Sequence, residues 1–307
     1  MSGGITARRP DGQRGRRLHL NHGPIDLIIE AWGEPGEVET AYVQAAQAFD
    51  GVLPGLVSEL PRLRRPMSEA PDLRGPVARR MAAACRPHLP GFVTPMAAVA
   101  GAVADHMLAA MNAGRNLTRA YVNNGGDIAF LLVPGDALDC GIVSDVARPA
   151  IDGTVRLTHD MPVRGIATSG RATKGQGGRS FSLGIADSVT VLAANAAAAD
   201  VAATLIANAV DLPGHPAVER VSARELDPDS DLGDRLVTVG LGPLDDGEIK
   251  DALLRGRQVA EGMRQASTIA AAFLTLSGCC ATVGDARTLS RTKQNSQHGS
   301  RHEALTA

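Results

Sequence analysis

Phe181-Ser-Leu-Gly-Ile-Ala-Asp187-Ser188-Val-Thr-Val-Leu192-Ala-Ala-Asn195-Ala-Ala-Ala-Ala-Asp200-Val-Ala-Ala-Thr204-Leu-Ile-Ala-Asn-Ala-Val210-Asp211 sets a short β-branched run directly before a long Ala-rich one. Ser188 to Leu192 has the composition of a buried strand. Asn195 to Val210 reads as a helix with Asn195 as its N-cap. Asp200 and Thr204 are four residues apart, which puts them on one helical face with about 5–6 Å between Cβ atoms. A carboxylate beside a hydroxyl on an otherwise apolar helix needs an explanation. Solvent exposure is the plainer reading.

Upstream of this stretch, hairpin signals dominate. Leu18–Leu20 and Ile25–Trp32 flank the turn residues Asn21-His22-Gly23-Pro24 and read as two strands of a hairpin. A helical pattern follows from Glu37 to Phe49, and another from Val77 to Ala84. The proline- and arginine-rich run Pro61–Pro76 between them reads as an exposed connection. Met96, Val99, Ala100, Val103, Met107, Leu108 and Met111 recur at helical spacing up to Gly114. Ala120–Val122 and Ile128–Val133 then enclose Asn123-Asn124-Gly125-Gly126-Asp127, the strongest hairpin turn in the chain. Short strands are expected at Gly141–Val143, Val155–Leu157, Val163–Ala167 and Leu236–Val239, and a helix at Asp246–Met263. Ser267–Leu276 fits strand or helix. Hairpin signals outnumber βαβ spacing, so the expected class is α+β rather than a doubly wound sheet.

Composition limits what the chain can do. With 307 residues, 44% hydrophobic and 21% charged, it can build a sizeable core, aliphatic because aromatics are only 3%. A net charge of -2 gives no overall footprint for nucleic acid or an anionic membrane, and the scarcity of aromatics argues against base stacking. No run reaches the length of a membrane span and no secretory signal follows the basic N-terminus. Cys85, Cys140, Cys279 and Cys280 lack metal-ligand spacing and read as reduced thiols of a cytoplasmic protein. Residues 1–17 are expected as a disordered basic arm, 18–284 as one domain and 285–307 as a disordered tail.

Three further segments invite a functional reading. Arg171-Ala-Thr-Lys-Gly-Gln-Gly-Gly-Arg179 offers basic side chains and bare backbone to an anion, but it matches neither a P-loop nor a dinucleotide-binding pattern. A flexible loop is its competing reading. Asp227–Asp234 alternates carboxylates, yet Leu232 and Thr238 occupy the positions where a calcium loop needs Gly and Glu, so it reads as an acidic turn. His106, His159 and His215 show no nucleophile or ligand spacing. His159 is the one that folding could bring to a pocket.

In order along the chain, Pro95-Met-Ala-Ala-Val-Ala-Gly-Ala, Val122-Asn-Asn-Gly-Gly-Asp-Ile128, Gly165-Ile-Ala-Thr-Ser-Gly-Arg171, Arg179-Ser-Phe-Ser-Leu-Gly-Ile-Ala-Asp-Ser-Val-Thr-Val191 and Ala199-Asp-Val-Ala-Ala-Thr204 resemble an uncharacterised bacterial and archaeal family. That family is related to ApbE, the FAD:protein FMN transferases once called thiamine-biosynthesis lipoproteins. The resemblance to the uncharacterised family covers about Leu18 to Gly284; that to ApbE itself lies mainly between Met96 and Val210. It implies an ApbE-like, T-fold-like architecture of mixed, mainly antiparallel sheets packed with helices.

Carried over residue by residue, the resemblance implies an Asn-x-Gly-Gly-Asp element at Asn123, Gly125, Gly126 and Asp127. It implies a Thr-Ser-Gly pocket segment at Thr168, Ser169 and Gly170, and Mg²⁺ ligands at Asp200 and Thr204, with Val201 where the family has Ala. Asp187, counted with the cofactor-binding residues, would be a further metal contact or a base. Mg²⁺ takes oxygen ligands and commonly shares them with substrate phosphates, which suits FAD or FMN as cofactor. Two ApbE features have no counterpart: Ser180–Asp187 lacks the family's histidine, and Gly101 stands without the family's Lys. The implied function is an Mg²⁺-dependent protein acting on a small-molecule flavin or nucleotide-diphosphate-like ligand, with transfer to an acceptor as its reaction. The alternatives are a cofactor-binding protein without chemistry, or a structural protein in which Asp200 and Thr204 satisfy buried polar groups. A homo-oligomer is compatible with each.

Overall fold

The computed structural model describes residues 6–8, 17–69, 72–142, 153–171, 181–284 and 289–291. Most of the basic arm, the Gly-rich segment after Arg171 and most of the C-terminal tail lie outside them. The first elements are β1 (Thr6–Arg8), β2 (Leu18–His22), β3 (Ile25–Gly33) and α1 (Pro35–Phe49). Helix α1 begins where its composition dictates. Pro35 is preset for a first turn, and the Glu34 carboxylate accepts from the N–H groups of Gly36 (2.9 Å) and Glu37 (3.2 Å).

Next come α2 (Val52–Leu63), α3 (Pro76–Cys85) and α4 (Val99–Asn112), the last introduced by a 3₁₀ turn at Pro95–Ala98. The expected exposed connection Pro61–Pro76 is corrected here. Its start belongs to α2, and Leu63, Met67 and Leu73 are buried, while Arg62, Arg65 and Arg74 stay exposed. Pro61 lies inside α2 and has no N–H to return to the preceding turn, while the Arg64 N–H still closes the helix end onto Leu60 O at 3.1 Å.

The chain continues through β4 (Leu117–Asn124), β5 (Asp127–Leu132), β6 (Ala137–Ile142), β7 (Gly153–Thr158), β8 (Gly165–Ser169) and β9 (Ser188–Ala193). Then follow α5 (Ala196–Ala209), β10 (Val218–Ser222), α6 (Ala223–Leu226) and β11 (Leu236–Leu241). Last are α7 (Asp246–Gln265), β12 (Ala271–Leu276), β13 (Cys279–Val283) and β14 (Leu289–Arg291). Ser267–Leu276 resolves as strand: Ser267 has φ +58° and β12 pairs with both β9 and β13. At Asp227–Asp234 the Asp227 carboxylate accepts from the N–H of Asp229 (3.0 Å), the Asx turn expected of an acidic loop.

The chain divides into two compact units, each built from several segments. The first comprises Met1–Ala137, Thr158–Ala167 and Ala193–Val201. Its strands β1 to β5 pair antiparallel in sequence order, and β5 also pairs with the start of β8 through Ile128↔Ile166 and Ala129↔Gly165. Helices α1 and α4 contact these strands and each other. They bury Tyr42, Phe49, Met107 and Met111, alongside Leu27, Ile29, Val122 and Ala129 of the sheet. Each large apolar side chain so removed from water contributes roughly 1.5–3 kcal/mol.

The second unit comprises Leu138–Leu157, Thr168–Leu192 and Ala202–Ala307. Strand β12 pairs antiparallel with β9 on one side and β13 on the other, and every residue of β9 and β12 is buried. That explains why apolar residues dominate both strands; the exceptions Ser188 and Thr275 pair their hydroxyls at 2.8 Å, and Thr190 pairs with Thr168. Helix α7, started by a capping box of Asp245 and Glu248, packs on β12 and β13 through Ile249, Leu253 and Ala260. Antiparallel pairs β10–β11 and β7–β14 complete it. The class is α+β with mainly antiparallel sheets. No helix among the described residues is long and apolar enough to cross a membrane, and all four cysteines are free.

Candidate functional site

In the first unit, one helix start and one hairpin converge on the N-terminal turn of α4. Register Asn124↔Asp127 leaves Gly125 and Gly126 as a two-residue turn with φ +63° and +109°, conformations that only glycine adopts freely in succession. The Asn123 Oδ1 accepts from the N–H of Gly126 at 2.8 Å, so this side chain closes the turn. Asn124, which is buried, donates from Nδ2 to the carbonyl of Ala100 at 3.1 Å and ties the hairpin to α4. Asp127 is buried as well.

Asp200 arrives at the same turn from α5. Its Oδ2 accepts from the N–H of Gly101 at 3.0 Å, and the N–H of Ala100 also donates to it. The interaction is reciprocated. Asp105 of α4 accepts from the N–H groups of Ala196 (3.0 Å) and Ala197 (2.9 Å), while Asn195 Oδ1 accepts from Ala198 at 2.8 Å. Three of the donors left open at the start of α5 are thus satisfied by side chains, and each helix caps the other. A Cβ on Gly101 would lie 2.2 Å from the Ala196 carbonyl oxygen, and one on Gly165 2.1 Å from the Asn195 carbonyl carbon. Both glycines are there because the start of α5 leaves no room for a side chain.

The electrostatics follow. Burial pushes the Asp200 carboxyl up to about 7, against the two N–H groups that favour its charged form, and the charge of Asp105 raises it further. Burial also raises Asp105, opposed by the N–H groups of Ala197 and Ala196 and by Arg80. Cys85 is pushed up to about 12, by burial first and then by Asp200. His106 is lowered by burial and by Arg80.

Thr204 lies one turn beyond Asp200 on α5 and is half-buried. No cluster of three or more His, Cys, Asp or Glu side chains able to hold a metal is present among the described residues. What α5 offers is one carboxylate and one hydroxyl, a hard-oxygen set. Mg²⁺ accepts such a set when water and phosphate complete its shell. The carboxylate has about four lone-pair positions, so two N–H donors leave room for a cation. The donor chemistry therefore fits Mg²⁺ and would not suit a softer metal.

In the second unit, Thr168, Ser169 and Gly170 close β8 beside Asp187. The Thr168 and Thr190 hydroxyls are 2.9 Å apart. Gly170 has φ +146°, and a Cβ there would stand 2.3 Å from the carbonyl oxygen of Asp187. Asp187 donates its N–H to Thr275 O (2.9 Å), and its Oδ2 accepts from Ser277 N (2.6 Å). Each unit thus gathers some of the residues singled out by sequence. Asn123, Asp127 and Asp200 belong to the first; Thr168, Ser169, Gly170, Asp187 and Thr204 belong to the second.

Sequence reasoning missed Asp105 and Gly165, which hold the crossing of α4 and α5, and took Arg171 only as the start of a basic, Gly-rich segment that could face an anion. The available signal for Asp105 was the one used for Asp200, a carboxylate on an apolar helix face. His159 enters through its carbonyl, which accepts from Arg164 Nη2 at 2.7 Å; its ring makes no hydrogen bond to a candidate residue among the described ones. His215 is committed elsewhere: Nε2 lies 2.7 Å from Glu248 Oε1 and Nδ1 accepts from the N–H of Ala217.

The chain is 38% identical over 122 residues to a UPF0280 protein of Methanothermobacter thermautotrophicus, covering 39% of this chain and 44% of that protein. It is 37% identical over 142 residues to a UPF0280 protein of Methanosphaerula palustris, covering 46% and 55%. It therefore spans about half the length of the curated relatives it matches. Among solved structures, a mutant of the flavin transferase ApbE from Vibrio cholerae matches at TM-score 0.47 and 14% identity, covering 90% of this chain and 98% of that one. The ApbE protein of Thermotoga maritima matches at TM-score 0.37 and 12% identity, covering 91% and 97%. Likeness at that level supports no functional conclusion. The family model described as "AbpE bacteria" matches residues 7–287, nearly the whole chain, and to this family the protein belongs.

Proposed function

We propose that the protein binds a flavin, FAD or FMN, or another nucleotide-diphosphate-like ligand together with Mg²⁺. In this reading Asp200 and Thr204 of α5 hold the ion, Asn123, Gly125, Gly126 and Asp127 are ligand contacts in the first unit, and Thr168, Ser169, Gly170 and Asp187 are ligand contacts in the second. An ion held there would neutralise charge on the diphosphate oxygens. The chain's own part is orientation. Gly101 and Ala100 donate to the Asp200 carboxylate and fix it at the start of α4, and Asp105 fixes α5 beneath it. The observation that carries the reading is the carboxylate and hydroxyl one turn apart on α5, in the order Ala-Asp-x-x-Ala-Thr, in a chain of the AbpE bacteria family.

Transfer of FMN to an acceptor is the reaction the family resemblance suggests. Ser180–Asp187 holds no histidine, so no residue is assigned as its acid or base. The four free cysteines fit a reducing, cytoplasmic setting.

A second reading has its own observation: the reciprocal caps give Asp105 and Asp200 a purely structural use. Equilibrium titration with FAD, FMN and ADP, with and without Mg²⁺, decides between them. Mg²⁺-dependent binding that disappears in Asp200→Ala supports the first reading. Binding of none of these ligands leaves only the second. Release of AMP from FAD would make the protein a transferase.

A further inference from the structure

Arg171 follows the Thr168-Ser169-Gly170 segment directly, and its backbone is fixed: the N–H donates to Ala186 O at 2.9 Å, beside the point where Gly170 packs on Asp187 and Ser188. Its Nη1 is shut off from solvent and has no hydrogen-bond partner. Arg115 and Arg119 also hide a nitrogen without a partner, but in each it is Nε, and the same guanidinium is engaged elsewhere. Arg115 Nη1 donates to Glu37 (3.2 Å), and Arg119 Nη1 to the Ala137 carbonyl (3.1 Å). Arg171 has no side-chain hydrogen bond or ion pair among the described residues. Asp187, the carboxylate next to this turn, spends Oδ2 on Ser277 N instead.

A guanidinium is always charged and presents its donors in a planar fork shaped for a carboxylate or phosphate. Hiding one of those donors without an acceptor is unfavourable, and chains normally arrange matters otherwise. An acceptor from outside removes the penalty. An anion that offers two oxygens to the fork suits it best, and a phosphate group does so with charge-assisted hydrogen bonds.

We propose that Arg171 recognises a phosphate group of the bound ligand, at the end of β8 in the second unit. The identity of that ligand as a flavin rests on the function proposed above; the anion-binding role of Arg171 does not. Recognition here makes Arg171 a specificity residue, selecting phosphorylated over unphosphorylated forms of one ligand.

Two arms keep the two claims apart. In the first, the probe is inorganic pyrophosphate with a chelator present, read as the shift in thermal unfolding temperature. The wild type shifts upward, Arg171→Lys keeps part of the shift, and Arg171→Gln keeps none while unfolding near the wild-type temperature when ligand-free. An equal shift in Arg171→Gln, or no shift in the wild type, overturns the proposal. Should Arg171→Gln not fold, Arg171→Lys carries the test: a shift equal to that of the wild type overturns it and a reduced one supports it.

In the second arm, FMN and riboflavin are compared. The wild type prefers FMN by at least roughly tenfold, and Arg171→Gln brings the ratio close to one. A ratio that is unchanged in Arg171→Gln overturns the proposal. A pyrophosphate shift lost in Arg171→Gln, with neither flavin bound, supports the anion role and removes only the flavin reading.

Discussion

The crossing of α4 and α5 in the first unit and the turn after β8 in the second treat half-buried charge in opposite ways. At the crossing, Asp105 and Asp200 are both supplied with backbone donors, and each holds the start of the other's helix. After β8, one nitrogen of the half-buried Arg171, Nη1, is shut off from solvent with no acceptor among the described residues. A charge whose hydrogen bonds are internal contributes to the fold, and removing it leaves orphaned donors. A charge whose hydrogen bonds are missing gains none of them from the fold, and in the reading proposed above the ligand supplies them. Asp200 has features of both, being satisfied by the fold yet held at a pKa of about 7 by burial.

The sharpest way to break the first half of this comparison is to push the helices apart. Gly165→Ala puts a methyl 2.1 Å from the backbone of Asn195 and 2.2 Å from the nitrogen of Ala196. Backbone on both sides cannot yield, so urea denaturation should show a loss of about 3 kcal/mol. A loss under about 1 kcal/mol would mean the crossing is looser than described.

Next in size, Asp105→Ala leaves the N–H groups of Ala196 and Ala197 without their acceptor and should cost about 2 kcal/mol. Asp105→Asn, which retains one carbonyl acceptor, should cost clearly less. Arg171→Gln is the contrasting case: its stability should stay within about 0.5 kcal/mol of wild type, because no internal partner is lost. A cost matching that of Asp105→Ala would place Arg171 among the structural charges.

The smallest expected effect belongs to Thr204→Val. It removes a single uncharged oxygen from the proposed ion site and should weaken Mg²⁺-supported FAD binding by roughly fivefold, with binding in chelator unchanged.

How much of this was legible in the sequence follows from where each signal resides. The β9–α5 stretch and the Asn123–Asp127 hairpin carry their information locally, in β-branched runs, an N-cap and two consecutive glycines, and both form as expected. That Asp200 and Thr204 lie one turn apart on one helix needed only helical spacing. The role of Asp105 is not local: its partners on α5 stand 91 and 92 residues away, and no pattern within a window links them. Gly165 reads as an ordinary strand residue until α5 is set against it. Pro61–Pro76 misled because prolines and arginines mark both loops and the exposed face of a short helix, and only burial of Leu63 and Met67 separates the two. Ser267–Leu276 was ambiguous as short apolar runs are; the turn at Ser277 and Gly278, both with positive φ, makes it a hairpin strand with β13.

Asp200→Asn tests the central claim most directly. The variant keeps a carbonyl oxygen for Gly101 and removes the charge. The folded-state pKa is raised to about 7 from 3.8. The stabilising share of the protonated carboxyl is therefore complete below about pH 4 and lost as the pH rises through about 7, so wild-type stability in chelator falls across that window. Asp200→Asn should show a flatter profile and, at pH 8, be at least as stable as wild type. If the carboxylate is there for a cation, FAD affinity measured at pH 8 should rise about tenfold or more with Mg²⁺ in the wild type and not at all in this well-folded variant. An Mg²⁺ response retained by Asp200→Asn, or absent from the wild type, would contradict the account.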